Sequence, residues 1–244
     1  MPLVAIVGAG PAGLMAAERL VAVDGLEVAI FDAMPSPGRK FLMAGKGGMN
    51  ITHAEPLADF VRRYGSRQAV IEPLLKRFGP QQLRVWIHGL GIDTFVGTSG
   101  RVFPTEMKAA PLLRAWLHRL RQHGVQLHVR HRWLGWADDG ALRFATPDGE
   151  KLVAADATIL ALGGGSWAKL GSDGAWVPLL AARGVGVAPL KPANCGFDVA
   201  WSAHFSERYA GQPVKPVVAS VAGRRQQGEF NITAGGIEGG LIYA

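Results

Sequence analysis

One stretch near the start of the chain, Leu3-Val4-Ala5-Ile6-Val7-Gly8-Ala9-Gly10-Pro11-Ala12-Gly13, decides the fold. Its first five residues are apolar, as in a buried parallel strand, and the glycines that follow allow a tight turn. Residues Met15 to Val23 have the length and composition of a helix, and Glu27 to Asp32 predict a second strand, because turn residues precede and follow it. Strand, glycine turn, helix and strand in this order predict a right-handed βαβ unit.

The three glycines of the turn have separable tasks. Gly8 lets the strand turn sharply, Gly10 lets a ligand approach the backbone, and Gly13 lets the helix pack closely on the strand. A pyrophosphate would then lie at the helix N-terminus, where free N–H groups and the helix dipole favour negative charge. Asp32 ends the second strand, where a carboxylate can accept hydrogen bonds from ribose hydroxyls. The pattern predicts a bound dinucleotide; the alternatives are a tight turn without a ligand and, for Asp32, a turn residue.

Composition excludes several classes of protein. The chain has 244 residues, 48% of them hydrophobic and 18% charged, which predicts a globular α/β protein with a large core. No run of about 18 uninterrupted apolar residues occurs, so we expect no transmembrane helix. The single cysteine, Cys195, excludes an intramolecular disulfide and a cysteine-based zinc site, and it favours a cytoplasmic setting. The histidines show no metal-ligand spacing with nearby carboxylates, so no metal is expected.

The net charge of +7 would attract anionic partners such as phosphorylated cofactors or nucleic acid. The basic residues are scattered, however, and no run of five or more like charges occurs. Block patterning is typical of a nucleic-acid-binding tail, so a solvated surface is the preferred interpretation and nucleic acid an unlikely partner.

Periodicity predicts further elements downstream. Apolar residues recur at helical spacing in Leu83 to Leu90 and Leu112 to Leu120, and alternation predicts a strand at Val125 to Val129. Residues 35–53 lack regular periodicity and are expected to form an ordered loop. After Val187 prolines and short β-prone pieces predominate, so a second domain is predicted from residue 189. The last residues, from Gly239, look like the start of a strand, which suggests a truncated chain.

Several further motifs carry a family resemblance that spans nearly the whole chain. They are Pro11 within the glycine turn, Gly38-Arg39-Lys40, Gly47-Gly48-Met49-Asn50-Ile51-Thr52, Gly100-Arg101-Val102-Phe103-Pro104, Ile159-Leu160-Ala161-Leu162-Gly163-Gly164-Gly165-Ser166 and Gly171-Ser172-Asp173-Gly174. Together they resemble the flavoprotein family of BaiN-like or YhiN-like (HI0933-type) NAD(P)/FAD-dependent oxidoreductases. The resemblance implies FAD as the cofactor, a Rossmann-like FAD/NAD(P)-binding domain with a mostly parallel sheet over residues 1–188, and the beginning of an inserted β-rich substrate domain over 189–244.

The resemblance also implies which residues lie along FAD. Arg39 and Lys40 can neutralise phosphate or hydrogen-bond a flavin carbonyl, Gly47 and Gly48 let backbone approach a flat ring, and Asn50 can donate and accept at its edge. The alternative is a solvated basic pair with a flexible loop. The predicted cofactor-binding residues are Gly8, Gly10, Pro11, Ala12, Gly13, Asp32, Ala33, Gly38, Arg39, Lys40, Gly47, Gly48, Met49, Asn50, Trp133, Ala161, Gly163 and Gly164.

Two departures from the family pattern are visible. Where many flavoproteins have Ala-Thr-Gly, this chain has Ala161-Leu162-Gly163, so a threonine hydroxyl is missing. Relatives return to the FAD domain after the inserted domain, and no such return is present.

The leading functional hypothesis is an FAD-dependent oxidoreductase with NAD(P)H as electron donor and a small unsaturated or carbonyl substrate. No residue pattern identifies a catalytic acid, base or nucleophile, and hydride transfer through a flavin requires none, because the cofactor carries that chemistry. Two alternatives stay open: a flavin-bearing nucleic-acid binding or modification protein, motivated by the charge, and an NAD-dependent dehydrogenase, which shares the βαβ fingerprint.

Overall fold

The computed structural model describes residues 1–43 and 48–243. It divides the chain into two compact units, Met1–Ala188 and Pro189–Ala244. The strands of the first unit are β1 (Leu3–Val7), β2 (Glu27–Asp32), β3 (Thr52–His53), β4 (Thr94–Val96), β5 (Arg101–Pro104), β6 (Gln126–Val129), β7 (Arg132–Trp136), β8 (Leu142–Thr146), β9 (Gly149–Val153) and β10 (Ala157–Leu160). Its helices are α1 (Pro11–Leu20), α2 (Arg39–Met43), α3 (Leu57–Arg62), α4 (Gln68–Arg77), α5 (Pro80–His88), α6 (Ala109–Gln122) and α7 (Val177–Ala181), with 3₁₀ turns at Gly65–Arg67 and Ala168–Leu170.

A parallel sheet with the strand order β10-β1-β2-β6 forms the centre of the first unit. Side chains of β1 and β2 alternate between its two faces, as strand geometry requires. Ile6 and Ile30 pack against α1 and α6, whereas Val7 and Phe31 pack against the antiparallel sheet β7-β8-β9 and α7. Both faces are therefore covered, and the chain order reverses between β1 and β10. This is a Rossmann-type fold, and the predicted fold class is confirmed.

Local sequence signals explain where the first elements begin and end. The predicted strand Glu27 to Asp32 matches β2. The first helix begins at Pro11, four residues before the predicted start, because Gly10 occupies the N-cap and proline suits the first helical position. The expectation that residues 35–53 form an ordered loop is corrected in part, because they include the helix α2 and the short strand β3. A helix of five residues is too short to show the periodicity on which the prediction depended.

A smaller part of the first unit lies between α2 and α6 in the chain. The strands pair in the antiparallel order β3-β5-β4, and β5 supplies the buried Val102. The side chains of Met49, Ile87, Ala109 and Leu112 form a separate apolar cluster.

The second unit is an antiparallel sheet with one helix. Its elements are β11 (Phe197–Asp198), α8 (Ala203–Tyr209), β12 (Pro213–Val221), β13 (Arg224–Thr233) and β14 (Gly236–Glu238), and its strand order is β11-β14-β13-β12. Residues 239–242 form a bend and turns, not the strand that was expected there. In the part of the chain described, no helix combines the length and the apolar character needed to cross a membrane.

Candidate functional site

A cavity of about 420 Å³ opens at the carboxyl ends of β1, β2 and β10. It lies where the strand order reverses, the position at which open α/β sheets bind ligands. Its wall is formed by Val7, Gly8, Ala9, Gly10, Pro11, Ala12, Phe31, Asp32, Ala33, Met34, Ser36, Gly38, Arg39, Lys40, Phe41, His131, Arg132, Trp133, Ala161, Leu162, Gly163, Gly164, Leu170, Gly171, Ser172, Asp173, Ala175 and Trp176. Its volume is within the usual range of about 300 to 1,000 Å³ for small-molecule sites.

Gly8 and Gly13 are required by packing around the turn. The Gly8 N–H donates to the Phe31 carbonyl at 2.7 Å, and a Cβ on Gly8 would lie 2.2 Å from the Ala161 carbonyl oxygen. A Cβ on Gly13 would lie 1.8 Å from the Gly8 carbonyl oxygen. These two glycines therefore allow β1 to approach β10 and α1 to approach β1.

Gly10 differs from its two neighbours because a Cβ there would meet no atom within 4 Å. It lies on the cavity wall and caps α1, whose first turn contains no acidic residue. The first N–H groups of a helix have no partner within the helix, and the helix dipole adds positive potential at this end. The open side of Gly10 and the start of α1 thus fit a close-lying phosphate group.

Asp32 lies at the end of β2 with both carboxylate oxygens engaged. Oδ2 accepts from the Ala9 N–H and Oδ1 accepts from the Met34 N–H, each at 2.7 Å. Each carboxylate oxygen can accept more than one hydrogen bond, so capacity is left for a ligand hydroxyl. The backbone contacts hold this acceptor in place at the cavity wall.

The start of α2 brings two cationic side chains to the cavity. Gly38 precedes them with φ of +68°, and its N–H donates to the Ala9 carbonyl at 2.9 Å. Arg39 Nη1 contacts Ser36 Oγ at 3.4 Å, and Lys40 Nζ donates to Ser166 Oγ at 2.7 Å. Among the residues that the structure describes, neither cation forms an ion pair with a carboxylate. Both charges remain available to an anionic ligand.

Another part of the cavity wall contains an ion pair. Arg132 Nη1 lies 2.9 Å from Asp173 Oδ2, and Asp173 Oδ1 accepts from the Ala175 N–H at 3.1 Å. Burial raises the pKa of Asp173, but the hydrogen bonds from Ala175 and Arg132 outweigh it, so this pKa lies below its ordinary value. Asp173 is therefore a carboxylate near neutral pH.

Four residues of the wall carry buried polar atoms that have no hydrogen-bond partner among the described residues. They are Arg39 Nε, Trp133 Nε1, Ser172 Oγ and Trp176 Nε1. Buried polar groups in folded proteins are nearly always paired, so a cluster of unpaired ones around a single cavity fits a ligand-binding region.

The structure brings most of the predicted cofactor residues together, but not all of them. Gly13 packs against the Gly8 carbonyl and does not line the cavity. Gly48, Met49 and Asn50 lie beside β5, where Asn50 Nδ2 donates to the Thr52 carbonyl at 2.8 Å. Gly47 lies outside the described residues. The remaining predicted residues line the cavity: Gly8, Gly10, Pro11, Ala12, Asp32, Ala33, Gly38, Arg39, Lys40, Trp133, Ala161, Gly163 and Gly164.

Several wall residues were not predicted as cofactor contacts, notably His131, Ser172, Asp173 and Trp176. His131 Nδ1 donates a hydrogen bond to the Val129 carbonyl at 2.8 Å, because a carbonyl oxygen can only accept. The motif Gly171-Ser172-Asp173-Gly174 was the one sequence signal that could have located this wall.

Comparison with known proteins agrees with this architecture. The profile of the HI0933-like protein Rossmann domain matches residues 2–242. A curated relative, the 3-dehydro-bile acid delta(4,6)-reductase of Clostridium scindens, is 30% identical over 250 residues, which cover 100% of this chain and 59% of the relative. The chain thus spans somewhat more than half the length of this relative.

Similarity to solved structures is more distant. The 3-ketosteroid-delta4-(5alpha)-dehydrogenase of Rhodococcus jostii RHA1 has a TM-score of 0.49 at 15% identity, over 66% of this chain and 45% of that one. The anhydrotetracycline hydroxylase OxyS of Streptomyces rimosus has a TM-score of 0.41 at 16% identity, over 67% of this chain and 32% of that one.

The parallel strand order, the covered sheet faces and the glycine turn at the reversal point define a Rossmann-type domain. The chain belongs to the family of HI0933-like Rossmann-domain proteins, as its motifs predicted.

Proposed function

We propose that this chain is the FAD-binding part of an FAD-dependent oxidoreductase that takes electrons from NAD(P)H and reduces a small unsaturated or carbonyl compound. The observation that carries the proposal is the cavity at the reversal point of the sheet, with the open side of Gly10 on its wall. Family membership supports it, as does the name of the Clostridium scindens relative, a reductase.

In this proposal, different residues of the cavity wall bind different parts of FAD. The start of α1 holds the pyrophosphate against Gly10, and Asp32 accepts hydrogen bonds from the ribose. Arg39 and Lys40 neutralise phosphate charge or donate to a flavin carbonyl. When bound, FAD supplies the hydride-accepting and hydride-donating chemistry. The protein residues bind and orient it.

We assign a different proposed role to each of the two compact units. Residues 1–188 contain every residue of the cavity wall and are proposed as the FAD-binding domain. Residues 189–244 are proposed as the beginning of the β-rich substrate domain. A cytoplasmic setting is part of the proposal, supported by the single exposed cysteine, Cys195, because a reducing compartment keeps such a thiol reduced.

A cofactor-binding experiment tests the proposal without knowledge of the substrate. The purified chain is heated, and the supernatant is examined for released flavin; flavin-free chain is then titrated separately with FAD, FMN and NADH. We expect saturable binding of FAD with quenching of its fluorescence, and much weaker binding of FMN, which lacks the AMP moiety. Tight binding of NADH without any binding of FAD would favour the dehydrogenase alternative instead.

A further inference from the structure

The segment that follows β10 forms one wall of the cavity. We call residues 163–176, which run from just after β10 to α7, the strap. Eight of its residues line the cavity: Gly163, Gly164, Leu170, Gly171, Ser172, Asp173, Ala175 and Trp176. Inside the strap, the Gly174 N–H donates to the Gly164 carbonyl at 3.1 Å and closes it into a loop.

Two side-chain contacts fasten the strap to two other elements of the cavity wall. Asp173 pairs with Arg132 of β7, with 2.9 Å between Oδ2 and Nη1. Ser166 accepts from Lys40 of α2, with 2.7 Å between Oγ and Nζ. Arg132, Asp173 and Lys40 all line the cavity themselves, so both contacts lie beside the space that a ligand would occupy.

The backbone of the strap adopts conformations that need support. Trp167, although not a glycine, has φ of +66°, in the left-handed region that ordinary residues rarely occupy. This residue is 62% exposed, so core packing does not hold it there. Ser172 Oγ and Trp176 Nε1 are buried without hydrogen-bond partners in the described part of the chain, which costs free energy. Internal contacts alone therefore give the closed strap little stability.

We propose that Arg132 and Asp173 are positioning residues whose ion pair holds the strap over the cavity and slows release of the bound cofactor. The inference rests on the proposed function for the identity of that cofactor, FAD. The ordering of the strap by the pair does not depend on which ligand binds.

The exposure of the pair limits the size of the effect. The Arg132 side chain is 47% exposed and that of Asp173 27%, so water and salt weaken their attraction. Pairs of this kind stabilise weakly, and breaking this one should speed FAD dissociation about threefold to fivefold. The same change should increase amide hydrogen exchange in residues 167–176.

Two single substitutions distinguish an ion pair that holds the strap in place from an Arg132 that acts only by attracting the pyrophosphate. Asp173→Asn leaves Arg132 without its partner, and Arg132→Gln leaves Asp173 without its partner. If the pair acts as a fastening, both variants release FAD faster. If Arg132 simply attracts the pyrophosphate, Asp173→Asn frees its charge and slows release, whereas Arg132→Gln speeds it.

The chain offers a matched control and a rescue. Arg143 pairs with Glu150 at 2.7 Å, with side chains 39% and 45% exposed, and neither residue lines the cavity. Arg143→Gln should leave FAD release and strap exchange unchanged. The double variant Arg132→Asp with Asp173→Arg restores a pair and should restore slow release, and Ser166→Ala, which removes the second contact without changing charge, should speed release.

The experiment measures two quantities on the same proteins. Protein loaded with FAD is diluted, and the recovery of flavin fluorescence gives the dissociation rate; hydrogen exchange is followed in the FAD-free chain. Faster release and faster strap exchange in both single variants, with Arg143→Gln unchanged, support the inference. Unchanged strap exchange, or slower release from Asp173→Asn, overturns it. Failure of the unsubstituted chain to bind FAD contradicts the proposed function, while the exchange measurement still decides whether the pair orders the strap.

Discussion

The Asp32 carboxylate accepts a hydrogen bond from the Ala9 N–H at 2.7 Å, and this bond joins the end of β2 to the glycine turn that follows β1. Its other oxygen accepts from the Met34 N–H at the same distance. The side chain proposed to bind ribose is thus also part of the framework of the cavity. Changes at this position should affect both stability and binding.

Asp32→Asn should weaken both properties. An amide offers only one oxygen, so one of the two backbone N–H groups would face an NH₂ donor and lose its partner. The expected loss of stability is about 1 to 3 kcal/mol, the cost of an unsatisfied, partly buried donor, accompanied by weaker FAD binding. Chemical denaturation and FAD titration measure the two effects.

Asp139→Asn is the matched control for this change, because Asp139 Oδ1 accepts from the Ala141 N–H at 3.0 Å in an exposed turn. It should leave FAD binding unchanged. Equal losses of FAD affinity in the two variants would contradict the proposed role of Asp32.

Gly10→Ala should leave folding unchanged, whereas Gly13→Ala should destabilise the fold. Gly10 has φ of −79°, which alanine adopts freely, and its Cβ would meet nothing within 4 Å, so the chain should fold normally. That Cβ would occupy the space proposed for the pyrophosphate, so FAD affinity should fall at least about tenfold, the equivalent of 1.4 kcal/mol. The measurements are thermal unfolding and FAD titration.

In Gly13→Ala the new Cβ would lie 1.8 Å from the Gly8 carbonyl oxygen. Overpacking against backbone costs about 1 to 3 kcal/mol or more, so this variant should unfold at a lower temperature. A stable Gly10→Ala variant that binds FAD normally would argue against a ligand at this turn.

Acidification should loosen the strap through Asp173. Its pKa in the folded chain lies below the ordinary value; burial opposes this shift, and the contacts with Ala175 and Arg132 produce it. A carboxyl of this kind stabilises the folded form above its unfolded pKa of about 3.9, and this contribution is lost as pH falls through the lower folded pKa. Strap hydrogen exchange, corrected for its intrinsic pH dependence, should rise over this acidic range. In Asp173→Asn the rise should be absent; if it persists, another group causes it.

His128 should make stability depend on pH in a higher range. Burial lowers its pKa, and the charges of Lys151 and His131 lower it further. The unfolded chain therefore takes up a proton near pH 6.5, before the folded chain does, so stability present above that pH falls on acidification. The urea midpoint should drop between about pH 8 and 5.5. His128→Phe keeps an aromatic ring stacked on Phe31 and should remove part of this drop in the urea midpoint. Substitution of the exposed His118 is the control and should leave the drop in place.

Local signals predicted the parts of the fold that local interactions determine. The ends of the strand Glu27–Asp32 were predicted because turn residues flank it, and α6 was located, though not its ends, because its apolar stripe is long. The start of α1 was placed too late because Gly10 and Pro11, which initiate the helix, were counted only as turn residues. The five-residue helix α2 was missed because it spans little more than one turn.

In the cavity, too, the residues near β1 and β2 in sequence could be predicted, and those brought there by long-range strand pairing could not. The glycine turn, Asp32 and the Arg39-Lys40 pair follow β1 and β2 directly, so their convergence could be inferred from the βαβ order. Ser172, Asp173 and Trp176 reach the cavity only because β10 pairs with β1 across about 150 positions of sequence, and no periodicity carries that information.

The pairing of β10 with β1 has a consequence for folding during synthesis. Val7 lies beside Leu160, and the Leu3 N–H donates to Asp156, 153 positions further along the chain. During synthesis from the N-terminus, the glycine turn leaves the ribosome long before the segment that completes the cavity. A nascent chain that ends before β10 can form β1, β2 and β6 but has an open sheet edge and half a binding wall. The complete cavity wall can therefore form only after β10 has been synthesised, and until then the unpaired edge of β1 is open to pairing with other chains.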